Sequence, residues 1–134
     1  MTETCPADAN RAVERMCRVM ANRTVMATGA EERPLVFGTN ALPGIMAASA
    51  MRVMAHGPAV HPGARAAIFT TGSSGHETAR DLKALGVDVA AVVDCRTEVP
   101  AADLATSEGL RVLPGRVVTD AAGRGSVAAI TVSN

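Results

Sequence analysis

An α/β fold with parallel strands is what this sequence predicts, and three observations predict it. Apolar runs at Arg65 to Phe69 and Val87 to Val93 flank a stretch, Glu77 to Leu85, suited to a helix. Together they form a unit of about thirty residues, enough to lay two parallel strands side by side through a crossover helix. Between the first run and the helix stands the Gly/Ser segment Thr70-Thr71-Gly72-Ser73-Ser74-Gly75, and Gly86 sits just past the helix, where a left-handed closing residue is favoured.

The remaining elements follow in chain order. Residues 1 to 12 are polar and Ala-rich with Pro6, and read as a loose end that offers little to a core. Val13, Met16, Cys17 and Met20 fall at helical spacing, yet Met16 and Met20 around Arg18 also allow a strand; periodicity leaves both open. Thr24 to Thr28 is a short apolar run closed by Gly29, as a buried strand would be. Pro34 biases Arg33 away from the helical region, so Glu31-Glu32-Arg33-Pro34 is a loop. After Leu42-Pro43-Gly44, the residues Ile45, Ala48, Ser49 and Val53 form one stripe of a helix over Ile45 to Ala55, which the Gly57 to Gly63 stretch ends. Beyond the central unit, Ala101 to Glu108 reads as a short helix closed by Gly109. Leu110 to Leu113, Arg116 to Thr119 and Ser126 to Val132 read as late strands, with a turn at Ala122-Gly123-Arg124-Gly125.

Composition narrows the function. A chain of 134 residues suits one domain that buries roughly two thirds of its unfolded surface. No uncharged apolar run reaches the about twenty residues needed to cross a bilayer, so no membrane partner is expected. Net charge is +0 and the aromatic residues are Phe37 and Phe69 alone, which leaves no basic stripe for phosphates and no stacking platform for bases. Nucleic acid is therefore not an expected partner. Cys5, Cys17 and Cys95 are odd in number and form no C-x-x-C pair, which points to reduced thiols and a cytoplasmic setting; Met1 to Asn10 do not resemble a secretion signal. With so few aromatics, Met16, Met20, Met26, Met46, Met51 and Met54 are expected to fill the core.

The chemistry concentrates in the Gly/Ser segment. It stands where a Rossmann-like dinucleotide-binding unit carries G-x-G-x-x-G, after a strand and at the mouth of a helix. Gly72 would let the backbone approach a pyrophosphate and Gly75 would let the helix pack closely on the strand, while N–H groups at the helix start face the anion. Thr71, Ser73 and Ser74 add hydroxyl donors. Asp94 follows the second strand about twenty residues on, where an acid accepts hydrogen bonds from the ribose of NAD; Arg96 nearby keeps a 2′-phosphate contact open. Thr70 replaces the first glycine of the pattern. The alternative is a bare strand-to-helix turn, with Asp94 closing its strand. His56, His61 and His76 lack metal-ligand spacing or the carboxylate companions of a triad and are expected in loops or solvent, with His76 set apart because it sits inside the expected phosphate loop. Glu31 and Glu32 are adjacent and point apart, so neither is assigned a catalytic role. No catalytic or metal-ligating residue is expected.

The stretch Val25-Met26-Ala27-Thr28-Gly29-Ala30-Glu31-Glu32-Arg33-Pro34-Leu35-Val36-Phe37, followed by Leu42-Pro43-Gly44-Ile45-Met46-Ala47-Ala48-Ser49-Ala50, resembles the α subunit of heterotetrameric sarcosine oxidase, and the likeness continues from about Glu14 onward. The resemblance implies that the A-T-G strand closes the first part of an FAD-type dinucleotide-binding domain. It implies further that the βαβ unit belongs to a second, inserted domain binding NAD. Residues 1–13 are then a loose end, 14–60 the edge of the FAD-type domain with a linker helix, and 61–134 the NAD-binding domain. Carried over, Thr28 and Gly29 lie near a dinucleotide, and Thr70, Thr71, Gly72, Ser73, Ser74, Gly75 and Asp94 line the NAD site. Glu14 to Met20 becomes a strand. Such an α subunit is several times longer, with an amino-terminal glycine-rich fingerprint and a carboxy-terminal folate-binding portion that this sequence lacks, so a fragment or truncated product is expected. The partners implied are the other subunits of a hetero-oligomeric oxidase. The intact complex converts sarcosine to glycine and hydrogen peroxide and passes the one-carbon unit to tetrahydrofolate. Its amine-oxidising flavin lies on a different subunit, so this chain alone should not turn over; the alternative is a structural piece without nucleotide.

Overall fold

The computed structural model describes residues 2–4, 14–16, 18–57 and 63–134. The chain divides into two compact units, Met1–Ala30 and Glu31–Asn134. In the first, β1 (Thr2–Thr4) pairs antiparallel with β2 (Glu14–Met16) in the register Thr2↔Met16 and Thr4↔Glu14. A strand thus stands inside the stretch expected to be a loose end. The strand expected over Glu14 to Met20 is short, since residues 18–20 have no regular structure.

The strand expected at Thr24 to Thr28 is absent, and its residues are exposed. An apolar run becomes a strand only where a neighbour takes up its N–H and C=O groups, and among the described residues no strand pairs with it. Met20 and Met26, expected in the core, lie exposed there with Val19 and Val25. Cys5, Cys17 and His61 lie outside the described residues.

The second unit opens with an irregular segment that leads to α1 (Ala48–His56). This helix starts three residues later than the apolar stripe suggests. Gly44 has φ +95°, outside the helical region, and Leu42 and Ile45 are held in turns by bonds to Thr39 and Leu42 carbonyls. The first turn of α1 receives its cap from outside: Glu32 accepts from the Ala48 N–H at 3.0 Å and the Ser49 N–H at 2.7 Å. A carboxylate at this end satisfies two free donors and complements the helix dipole.

Next come β3 (Arg65–Thr70), α2 (Ser73–Ala84), β4 (Asp88–Asp94), α3 (Ala101–Thr106) and β5 (Val112–Pro114). The three strands form a parallel sheet in the order β3-β4-β5. This is the predicted α/β arrangement, within two or three residues at most boundaries. The exception is α2, which begins at Ser73 rather than Glu77, so half of the expected Gly/Ser loop is the helix's own first turn. The antiparallel pair β6 (Val117–Ala122) and β7 (Ala129–Ser133) closes the chain.

The core lies between the helices and the sheet. Ile68 of β3, Ala79 and Leu82 of α2, and Val89 and Val92 of β4 pack together with Val87, and Met51 and Ala55 of α1 cover them. The register of β4 shifts by one residue opposite Ala66/Ala67, which brings Val89 and Val92 to the same face. By the alternation of a strand, Thr70 follows Ile68 and Asp94 follows Val92 toward α2. The two end residues are register partners, so they stand side by side beneath the start of the helix.

Candidate functional site

The site expected from the sequence lies at the carboxyl ends of β3 and β4, where open α/β sheets present ligands. The structure brings Thr70, Thr71, Gly72, Ser73, Ser74, Gly75 and Asp94 together there. Thr28 and Gly29 belong to the other unit, where both are exposed and Gly29 is left-handed at φ +70°.

Thr70 decides the shape of the bend. Its hydroxyl donates to the Gly72 carbonyl at 2.8 Å and accepts from the Gly72 N–H at 3.1 Å. A side chain that a fingerprint glycine would lack therefore fills the inside of the turn and takes up one of the amides expected to face a diphosphate. Gly75 sits directly over it, since a Cβ on Gly75 would collide with the Thr70 side chain. Gly72 is extended, at φ −164°, and a Cβ there would meet nothing within 4 Å. Thr71, Ser73 and Ser74 are exposed.

Asp94 is 0% exposed. Its Oδ1 accepts from the Arg96 N–H at 2.9 Å and from Arg96 Nε at 3.1 Å, while Oδ2 accepts from Arg96 Nη2 at 2.7 Å and His76 Nε2 at 2.8 Å. A carboxylate offers about four lone-pair positions, and all are occupied. The ribose-binding role expected of Asp94 finds no free acceptor. Burial pushes its carboxyl up, but the Arg96 guanidinium and His76 outweigh that and hold it down, to about 2.

His76 is a correction to the sequence reading. It is neither solvated nor in a loop: it is 0% exposed in the first turn of α2, and it has the carboxylate companion denied to it. His76 Nε2–H donates to the ionised Asp94, and Nδ1 and the Ser107 hydroxyl share a hydrogen bond of 2.7 Å. The order Ser107–His76–Asp94 has the composition of a hydrolytic triad, yet Ser107 is only 2% exposed and no substrate can reach its oxygen. The group works as a structural relay.

The relay extends outward. Arg96 Nη2 also donates to Asp103 Oδ2 at 2.9 Å, and the Ser73 hydroxyl donates to the same oxygen at 2.8 Å. Burial pushes the Asp103 carboxyl up, and Ser73 and Arg96 together bring it below its ordinary value; Asp94 in turn pushes the Arg96 guanidinium up. Among the described residues every buried side-chain nitrogen and oxygen has a partner, and no cluster of His, Cys, Asp or Glu could hold a metal ion. The residues present do not fit a ribose at Asp94 or a diphosphate inside the bend. Sequence reasoning singled out the position of His76 but not its partners, and it missed Asp103 and Ser107. The last two lie one helical turn apart, a polar pair on one face that was the available signal.

No family model matches the chain. It is similar to the sarcosine oxidase subunit alpha of Rhizobium meliloti (strain 1021), 46% identical over 120 residues, which is 90% of this chain and 12% of that protein. The subunit alpha of Corynebacterium sp. (strain P-1) is 43% identical over 86% of this chain and 12% of its own length. That of Corynebacterium sp. (strain U-96) is 38% identical over 90% of this chain and 13% of its length. The chain thus spans a small part of the relatives it matches.

Proposed function

Since the chain is related over nine-tenths of its length to one segment of the sarcosine oxidase α subunits, we propose that it serves in the α subunit of a sarcosine-oxidising complex as a self-closed structural module. The reaction of that complex, in this reading, is the oxidative demethylation of sarcosine to glycine, carried out with other subunits as partners. The observation that carries the structural role is the full occupancy of Asp94 by Arg96 and His76, beside a bend filled by Thr70. A dinucleotide contact in this chain then falls to Thr28 and Gly29. The left-handed Gly29 supports it, because a Cβ there would meet nothing within 4 Å and the backbone is open to close approach. A dinucleotide of the FAD type is the ligand the resemblance implies at that place.

A second reading keeps NAD on the βαβ unit. It is favoured by the open space over Gly72 and by exposed Ser73 and Ser74 at the start of a helix without a side-chain cap. Gly72→Val separates the two. Extended backbone accepts valine, so the fold is kept while the approach to the helix start is blocked. Calorimetric titration of both chains with NAD, NADH, NADP and FAD is the test. Saturation by NAD that Gly72→Val removes would overturn the structural reading, whereas binding that survives Gly72→Val, or no binding at the bend, supports it.

A further inference from the structure

α3 differs from the other helices in what it buries. Of Ala101–Thr106 only Asp103 is buried, at 7% exposed, and the following Ser107 is the other inward residue at 2%. These two stand four residues apart and so share one face. The apolar residues of the helix are outside: Ala101, Ala102 and Ala105 are exposed, and Leu104 is 46% exposed. By contrast α2 buries Ala79 and Leu82 in the core. The inward face of α3 is therefore held by hydrogen bonds and an ion pair: Asp103 to Arg96 and Ser73, and Ser107 to His76. Just past its end, Lys83 donates to the carbonyls of Glu108 and Gly109.

We propose that α3 is a polar strap that opens from the end of the sheet as a unit while β3, β4 and α2 stay folded. Lifting an apolar helix face exposes surface that water penalises, but the contacts of α3 are of a kind that water replaces. Six residues are also too few to hold a helix in isolation, so opening and unwinding occur together. Through Ser107 to His76 and through Asp103 to Arg96, the strap is tied to Asp94 at the carboxyl end of β4. Its opening frees the Arg96 guanidinium and the Ser73 hydroxyl from Asp103 and gives solvent access to the buried His76 ring. The inference goes beyond the structural reading, because the strap's attachment does not depend on whether the bend holds a nucleotide.

Hydrogen exchange of the full chain, read by mass spectrometry at neutral pH, tests it. Amides of residues 103–110 should exchange about tenfold faster than those of Val92 to Asp94 in the unaltered protein, as a locally opening unit does. Asp103→Asn removes the ion pair with little change of shape and should raise the exchange of 103–110 further, with β3 and β4 still the slower segments. Ser107→Ala should do the same, and Leu104→Ala on the outer face should do nothing. Exchange of α3 at the rate of β4 in the unaltered protein overturns the proposal. So does an Asp103→Asn or Ser107→Ala chain in which residues 103–110 exchange no faster than in the unaltered protein.

Discussion

At the residue scale the protein's most constrained group is Asp94. Removing its charge while keeping its shape, as in Asp94→Asn, leaves the Arg96 guanidinium paired with Asp103 but no longer with Asp94, and puts an amide against the buried His76 donor. Breaking a buried pair in this way costs about 3–5 kcal/mol, and urea unfolding at neutral pH should show it. The same carboxyl makes stability depend on acid. Its folded value is lowered from 3.8 to about 2, so its contribution is complete above the ordinary value and is lost as pH falls through that window. A shift of this size corresponds to something on the order of 2 kcal/mol. Unfolding measured at neutral pH and near pH 2 should show the unaltered protein losing more stability than Asp94→Asn. Equal losses would mean that Asp94 is not the group responsible. Ser107→Ala is milder: it strands the Nδ1 of a buried ring and should cost about 1–3 kcal/mol.

At the element scale the joint between β3 and α2 depends on a close approach. Gly75→Ala drives a methyl into Thr70 and should destabilise by about 1–3 kcal/mol, as overpacking does. Thr70→Gly removes the obstructing atoms, so the double substitution should recover much of that loss, and a thermodynamic cycle over the four proteins measures the coupling. Without recovery, the crowding is not between these two residues. The start of α1 rests on Glu32, far back in the sequence, and Glu32→Ala should cost roughly 1 kcal/mol by removing two acceptors from the helix end. Of these elements, the βαβ unit was legible because its apolar runs, closing Gly86 and Gly/Ser segment agree with one another. The start of α2 was not, since Ser73, Ser74 and Gly75 resemble a loop until His76 is fixed by groups on β4 and after α3. The run Thr24 to Thr28 shows the converse: apolar content alone does not make a strand where no pairing partner stands beside it.

At the scale of the whole molecule, kinship and site part company. The likeness to sarcosine oxidase α subunits was legible in the residues from Val25 to Ala50, and the relatives agree with it over 90% or slightly less of the chain. The nucleotide fingerprint was legible too, as spacing, but spacing does not say whether a turn is open. Exposed Val19, Met20, Val25 and Met26 make no contribution to a core within their unit, so Met20→Ser and Met26→Ser should each change stability by less than about 0.5 kcal/mol. Thermal unfolding of the two variants checks this, and a larger loss would mean that these side chains are buried in solution.

Local sequence determined the parallel βαβ unit, the positions of its strands and the family likeness, because hydrophobic period, turn residues and shared segments are properties of neighbours along the chain. Tertiary structure alone decided what Asp94 does. Its carboxylate meets Arg96 two residues on, but also His76 from the helix above it, and His76 in turn meets Ser107. Such partners are chosen by strand register and helix docking, and a lone pair that one of them has taken is no longer open to a ligand.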